Sequence, residues 1–389
     1  MGTITESAKA FMPKLSEIRR DFHMHPEVSQ HEERTGKKVA EYLKEMGCDE
    51  VYENVGGYGV VGVIKGKKTG KVVALRADMD ALQIQEMNEV PYKSQNDGVM
   101  HACGHDNHMT GLLGAAMLLC ERREEIAGTV KLIFQPAEEM SPVGGSRGML
   151  HSGYMDDVEA VFGLHVWPDL PHGKIGVKAG PLMAATDHFT INIHGKTAHG
   201  AKPNQGIDAV VLGSQFVMAA QTIVSRKVDP LDNAVVTFGI FNAGTRYNII
   251  AGDCTLDGTV RTLNEDTRAM IEDSMRKTLD GLCLQSGATA DINYGHGYPA
   301  LVNHEEDAEL IRNTAIKLFG KDDVVDVKLP AMPAEDFSFY LKEKKGAFVW
   351  LGTAKQDQDP VWPLHNSRFD VDESALLLGV CAELSFALR

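Results

Sequence analysis

The chain is predicted to be an α/β protein, with a mixed, largely parallel sheet covered by helices and an inserted α+β domain of ferredoxin-like, split β-α-β-β-α-β pattern. Three observations predict this. Short β-rich runs alternate with helical patterns up to about residue 180. The spacing then changes to strands with one polar face, and the first pattern resumes near residue 295. At 389 residues the chain also exceeds what a single core usually supports.

The elements follow from their periodicities. Ala8–Phe22 places Phe11, Leu15, Ile18 and Phe22 on one helical face, and Glu32–Met46 forms a second amphipathic pattern stopped by Gly47. The β-rich runs are Gly59–Ile64, Val72–Leu75, Val130–Phe134 and Ala160–Leu164, and Asn107–Arg123 between them reads as a buried helix. After Gly180, Thr186–Ile193 alternates apolar and polar residues. Helix Ile207–Val224, strands Val235–Phe241 and Cys254–Arg261, helix Thr267–Leu284 and strand Ala288–Asn293 complete the inserted pattern. Helix Glu305–Phe319, strand Ala347–Leu351 and helix Glu373–Leu388 return to α/β. The expected organisation is one α/β domain from 1–180 and 295–389, with the insertion at 181–294.

A net charge of −15 argues against nucleic-acid or anionic-membrane partners, which need a basic surface. No basic-then-apolar leader and no long apolar run occurs, so neither a signal peptide nor a transmembrane helix is expected. The six cysteines lack framework spacing and read as reduced thiols of a cytoplasmic protein, with Cys120, Cys254, Cys283 and Cys381 as small core residues.

Cys103 is different. It lies in Met100-His101-Ala102-Cys103-Gly104-His105-Asp106-Asn107-His108, between a polar loop and an apolar helix. Cys103 and His105 can face one ion across Gly104, while Asp106 or Asn107 can cap the helix. The alternative is a polar loop with one buried thiol. A second signal is the β-rich run ending in Gln135-Pro136-Ala137-Glu138-Glu139. Adjacent carboxylates at a strand's carboxyl end point in different directions, so one can bind metal while the other faces substrate. The alternative is a surface acidic loop. His165 ends an apolar strand and His365 follows a loop rich in Pro and Asp; either alone is more often structural. Together, Cys103, His105, Glu139, His165 and His365 supply five N, O and S donors, a set suited to one or two borderline ions such as Zn²⁺, Mn²⁺, Ni²⁺ or Co²⁺. In Arg76-Ala77-Asp78-Met79-Asp80, Asp78 or Asp80 either orients a ligating imidazole from behind or caps a turn.

These segments, with "RRDFHMHPE" at Arg19–Glu27, "RADMDAL" at Arg76–Leu82, "FQPAEE" at Phe134–Glu139, "GLHVWP" at Gly163–Pro168, "HGKTAHGAKPNQGIDA" at His194–Ala209, "PAEDFS" at Pro333–Ser338 and "LHNSRFD" at Leu364–Asp370, resemble the aminoacylase, carboxypeptidase and hippurate hydrolase family of metal-dependent amidohydrolases. The nearest branch holds hippurate hydrolases and indole-acetyl-amino-acid hydrolases, and the resemblance spans essentially the whole chain. It implies two divalent ions on Cys103, His105, Glu139, His165 and His365. Cys103 stands where other branches carry a bridging aspartate, and Asp78 where they carry a ligating histidine. It implies Glu138 as general base, His199 as a lid-domain histidine reaching an active site, and Asn248 and Arg261 as contacts to substrate or its carboxylate. From the residues alone, His199 is an exposed loop histidine and Arg261 a strand-end arginine. The implied activity is hydrolysis of N-acylated amino acids by a homodimer or higher homo-oligomer. The alternatives are a dipeptidase or carboxypeptidase acting on short peptides, a hydrolase using Cys103 as nucleophile, and a non-catalytic metal- or ligand-binding protein on the same fold.

Overall fold

The computed structural model describes residues 2–354 and 361–387. In chain order the first elements are α1 (Gly2–Met24), α2 (Glu33–Glu45), β1 (Glu50–Val55), β2 (Gly59–Lys65), β3 (Lys68–Asp78), α3 (His105–Glu121), β4 (Ala127–Gln135), β5 (Ala160–Pro171) and β6 (Ile175–Val177). Then come β7 (Ala185–His194), α4 (Ala209–Arg226), β8 (Ala234–Ala243), β9 (Asp253–Thr262), α5 (Glu265–Ser286) and β10 (Thr289–His296). The chain ends with α6 (Glu305–Phe319), β11 (Val324–Asp326), β12 (Lys345–Ala354) and α7 (Ala375–Ala387).

The chain divides into two units, residues 1–180, 302–329 and 336–389 in one, 181–301 and 330–335 in the other. The insertion therefore runs past the expected residue 294 and takes back a later segment. Backbone pairing is the cause. The N–H of Gly297 donates to Thr186, that of Thr186 to Tyr298, that of Ala331 to Leu182 and that of Ala184 to Pro333.

In the first unit an eight-stranded sheet runs β1-β2-β4-β3-β5-β12-β6-β11. Its centre is parallel: β3 pairs in parallel with β4 and β5, and β5 with β12. The pairings β1–β2, β2–β4 and β12–β6 are antiparallel. The central strands read as near-continuous apolar runs because both faces are covered. Leu75, Leu132, Phe134, Phe162 and Val349 pack with Leu15, Phe22, Val39, Leu112, Leu113 and Val380 from the helices. Pairing sets Asp78 of β3 opposite Gln135 of β4, and His165 of β5 opposite Trp350 of β12, which brings the segments that follow β3 and β4 together at one end of the sheet.

The second unit has a four-stranded antiparallel sheet in the order β8-β9-β7-β10. With helices after its first and third strands, this is the split β-α-β-β-α-β arrangement. Phe189, Ile191 and Ile193 of β7 turn inward against Phe216, Ile223, Ile271 and Met275 of α4 and α5, while His188, Thr190 and His194 bond to Asp257, Asp253 and Asp291 on the other face.

Several local expectations are corrected. The last helix starts at Ala375, not Glu373, because Asp372 receives the Ser374 and Ala375 N–H groups and the Glu373 side chain pairs with Arg20; its expected end, Leu388, lies outside the described residues, as does part of the loop before His365. Cys120 is half-buried rather than core, 3.9 Å from the Cys48 sulfur, and Cys283 is half-buried too. Among the described residues, no helix is long and apolar enough to cross a membrane.

Candidate metal centre

Four segments of the first unit converge. The loop before α3 brings Cys103 and His105, the turn after β4 brings Glu138 and Glu139, β5 brings His165, and the loop before α7 brings His365. Donor atoms within 4.8 Å of one another form the groups Cys103/His105/His165, Cys103/Glu139/His365 and His105/Glu138/Glu139. Cys103 belongs to two of them, so one sulfur faces both halves of the cluster.

Local backbone explains how each donor is aimed. Gly104 takes φ 86° at the start of α3, and a Cβ there would sit 2.4 Å from the Val166 side chain, so the turn between Cys103 and His105 needs glycine. No side chain caps this helix. Asp106, expected as a candidate cap, lies in its first turn, buried and bonded to Arg19 Nε at 2.7 Å and His23 Nδ1 at 2.8 Å. His165 does not end its strand, which runs on to Pro171. Its Nδ1–H donates to the Val166 carbonyl at 2.7 Å, leaving Nε2 directed at Cys103 Sγ, 3.4 Å away. His365 is left-handed at φ 62°, and its N–H donates to the Ala102 carbonyl, tying its loop to the Cys103 loop.

The aspartates lie behind the donors. Asp80 Oδ1 is 3.3 Å from His105 Nδ1, and its Oδ2 receives the Glu139 N–H at 2.9 Å and the Ser29 hydroxyl at 2.6 Å. Asp78 is bonded to Arg76 at 2.8 Å and to His108 at 2.6 Å. It also stands 3.7 Å from His105 Nε2. Of the three histidines in the nine-residue motif, only His105 is turned to the cluster. His101 is buried without a hydrogen-bond partner among the described residues, and burial pushes its pKa down to about 3.

The electrostatics call for positive charge. Burial opposes a charged His105, yet Asp78, Asp80 and Glu139 outweigh it and push the imidazole up to about 10. Burial, then Glu139 and Glu138, hold the Cys103 thiol well above its usual range. Among the described residues, both His105 nitrogens and Glu139 Oε1 are buried without an aligned hydrogen-bond partner. Buried polar groups are normally satisfied, and a cluster of S, N and O donors lacking partners fits bound divalent cations.

Within the second unit, His199 and Asn248 are brought side by side: Ala198–His199 pairs with Ile249–Ile250, and the Gly200 N–H donates to the Asn248 carbonyl at 2.9 Å. His199 is exposed. Its Nδ1 accepts the Ala201 N–H at 3.0 Å, so Nε2 carries the proton and is a free donor. Arg261, on β9, bonds to the Thr259 hydroxyl and the Val260 carbonyl; among the described residues it makes no ion pair, and Asp187 acts on its charge from farther away.

The model of peptidase family M20/M25/M40 matches residues 74–388. The chain belongs to this family. It is similar to the N-acetylcysteine deacetylase of Bacillus subtilis (strain 168), 41% identical over 95% of this chain and 94% of that one. It is also similar to the hippurate hydrolase of Campylobacter jejuni, 37% identical over 97% of this chain and 96% of that one. Among solved structures it matches Bacillus subtilis YXEP protein, described as a dinuclear metal binding peptidase, with a TM-score of 0.86 and 37% identity over 98% of each chain. The protein is thus a metal-dependent amidohydrolase with donor groups for two divalent ions, which sets aside the non-catalytic reading.

The sequence left two features unread. One is His108, whose Nε2 accepts the Val166 N–H at 2.9 Å. The other is the buried Arg19–Asp106–His23–Glu86 cluster. The "RRDFH" segment was its visible signal.

Proposed function

We propose that this enzyme hydrolyses the amide bond of N-acylated amino acids, with Cys103, His105, Glu139, His165 and His365 holding two ions of Zn²⁺, Mn²⁺, Ni²⁺ or Co²⁺. The observation that carries this reading is the membership of Cys103 in two donor groups, with Glu138 beside them. When bound, such ions supply Lewis-acid polarisation of a carbonyl and acidify water. Glu138 is the proton carrier: it takes a proton from the attacking water and passes it to the leaving nitrogen. It is buried, and its Oε1 accepts the Asp336 N–H at 3.4 Å, which fixes one oxygen. Asp80 holds His105 from behind, and Asp78 does the same for the His108 that braces Val166. His199 Nε2–H is assigned to the developing oxyanion, a contribution usually worth a few kcal/mol. Arg261 and Asn248 are assigned to the free carboxylate of the substrate.

The second unit is read as a lid and dimerisation domain. Its edge strand β8 exposes Val235, Ile240 and Phe241, and α4 exposes Val210, Val211 and Met218. An apolar strand edge of this kind invites a second copy. The six free cysteines agree with a cytoplasmic protein.

The test is a hydrolysis screen of N-acetyl, N-benzoyl and indole-acetyl amino acids and short peptides, with each of the four metals. Turnover lost to chelators and restored by metal, at about two ions per chain, is expected. Activity that survives chelation but dies on thiol alkylation would instead make Cys103 a nucleophile.

A further inference from the structure

The turn Pro136-Ala137-Glu138-Glu139 carries both the proton carrier and a metal ligand, and its geometry is unusual. Ala137 has φ 55°, a left-handed conformation that L side chains disfavour. That residue turns the chain out of the β4 direction so that Glu139 faces Cys103 and His365 while Glu138 stays beside His105. Buried acids clamp the turn. Glu32, fully buried just before α2, accepts the Ala137 N–H on Oε1 at 2.7 Å. Asp80 accepts the Glu139 N–H at 2.9 Å. Asp336 accepts the Gln135 side-chain amide at 2.9 Å and the Ser146 N–H at 3.0 Å. The Pro136 carbonyl is pressed against Gly145, where a Cβ would lie 1.8 Å from it. Asp80 and Asp336 have several partners; the Glu32 contact falls on the strained residue itself.

We infer that Glu32 is a positioning residue, whose carboxylate holds Ala137 left-handed and thereby aims Glu138 at the reacting water. The inference rests on Glu138 being the proton carrier. A misplacement of about 1 Å costs roughly 100-fold in rate, so the clamp is read in kcat rather than in binding.

The experiment compares Glu32→Ala, Glu32→Gln, Ala137→Gly, the double variant Glu32→Ala/Ala137→Gly and Glu138→Ala as metal-loaded enzyme, on an N-acetylated amino acid. Glu32→Ala is expected to lose about tenfold or more in kcat with KM within about twofold and metal content unchanged. Glu32→Gln keeps an acceptor oxygen and retains most of kcat. In the double variant glycine adopts the left-handed backbone without penalty, so most of the kcat lost by Glu32→Ala returns, relative to Ala137→Gly alone. A Glu32→Ala enzyme with parental kcat overturns the inference. So does a kcat deficit that glycine at position 137 leaves uncorrected, and this comparison also decides the matter if Glu32→Ala alone does not fold. Glu138→Ala separates the two readings. If it stays active, the proton-carrier assignment fails whatever Glu32 does; if it is dead while Glu32→Ala is normal, only the Glu32 inference falls.

Discussion

Asp78 stands 2.6 Å from the Nδ1 of His108, and this contact fixes the role of both residues. Because His108 Nε2 already accepts the Val166 N–H, the proton must sit on Nδ1 and point at Asp78. His108 thus has no nitrogen left for a metal. Asp78 is spent on His108 and Arg76, and although burial alone would raise its pKa, His105, His108 and Arg76 hold it well below the usual carboxylate range. The pair joins β3 to the β5 backbone beside His165.

Replacing His108 by Ala should therefore damage both folding and metal binding. It leaves Asp78 Oδ1 and the Val166 N–H without their partner in the interior, a loss of about 2–4 kcal/mol. It also frees the backbone beside His165, and changes behind a ligand typically cost about 10–100-fold in metal affinity. Denaturant unfolding of the metal-free protein and metal titration measure the two separately. Parental stability would mean the bridge carries no energy.

The two adjacent carboxylates should part company. Glu138→Ala is expected to lower kcat by about 100-fold or more with both ions retained, the usual scale for a lost general base. Glu139→Ala should lose metal first and activity in consequence. Metal analysis beside steady-state kinetics distinguishes them, and equal metal loss in both variants would refute the division of labour.

Much of this site was legible because metal chemistry concentrates unusual residue types. Cys103, His105, Glu138 and Glu139 stand out in the loops that lead into α3 and out of β4, where a parallel sheet gathers its loops. The helices were legible from their apolar period, and the inserted unit from the alternation at Thr186–Ile193. What escaped depends on long-range partners. Asp106 looks like a cap until Arg19 and His23 are placed beside it, and the role of His108 shows only once Val166 is known to face it. The three-residue strands β6 and β11 carry too few residues to show a period, and β1 (EVYENV) shows no clean one; all three are completed by their neighbours. The left-handed backbones of Ala137 and His365 have no glycine to announce them.

Arg261 gives a specificity prediction. It has hydrogen bonds but no ion pair within its own unit, and Asp187 acts on its charge only from farther away, so it can still take an anionic ligand. Arg261→Ala should raise KM about 10–100-fold for substrates with a free carboxylate and leave the corresponding carboxamides nearly unchanged, as expected when a charge-assisted hydrogen bond is removed. Equal effects on both substrate types would assign Arg261 to the structure of β9 instead.

Glu383 gives a pH prediction away from the metal centre. It is buried in α7, its Oε2 lacks a hydrogen-bond partner among the described residues, and burial holds its pKa well above the ordinary 4.5. The folded state keeps a proton that the unfolded state releases, so this group lowers stability as pH rises above about 4.5, at up to about 1.4 kcal/mol per pH unit. Glu383→Gln cannot ionise and should gain on the parent from pH 5 to pH 8, with the gap closing toward pH 4. Melting curves across that range check it; a gap that does not change with pH would show that Glu383 ionises alike in both states.

Cys103 offers the sharpest chemical test. It is shared by two donor groups, so Cys103→Ala should empty both metal positions together rather than one. Cys103→Asp restores an anionic donor where the sequence resemblance implies an aspartate in other branches, but exchanges a soft sulfur for hard oxygen. That variant should bind two ions again with its preference moved away from Zn²⁺ toward Mn²⁺, since thiolate favours the former and carboxylate the latter. Competition between the two metals, read by elemental analysis of parent and variant, measures the shift. If Cys103→Ala still held one ion at parental affinity, the sulfur would serve a single position, and its membership in two donor groups would not carry over to the metals.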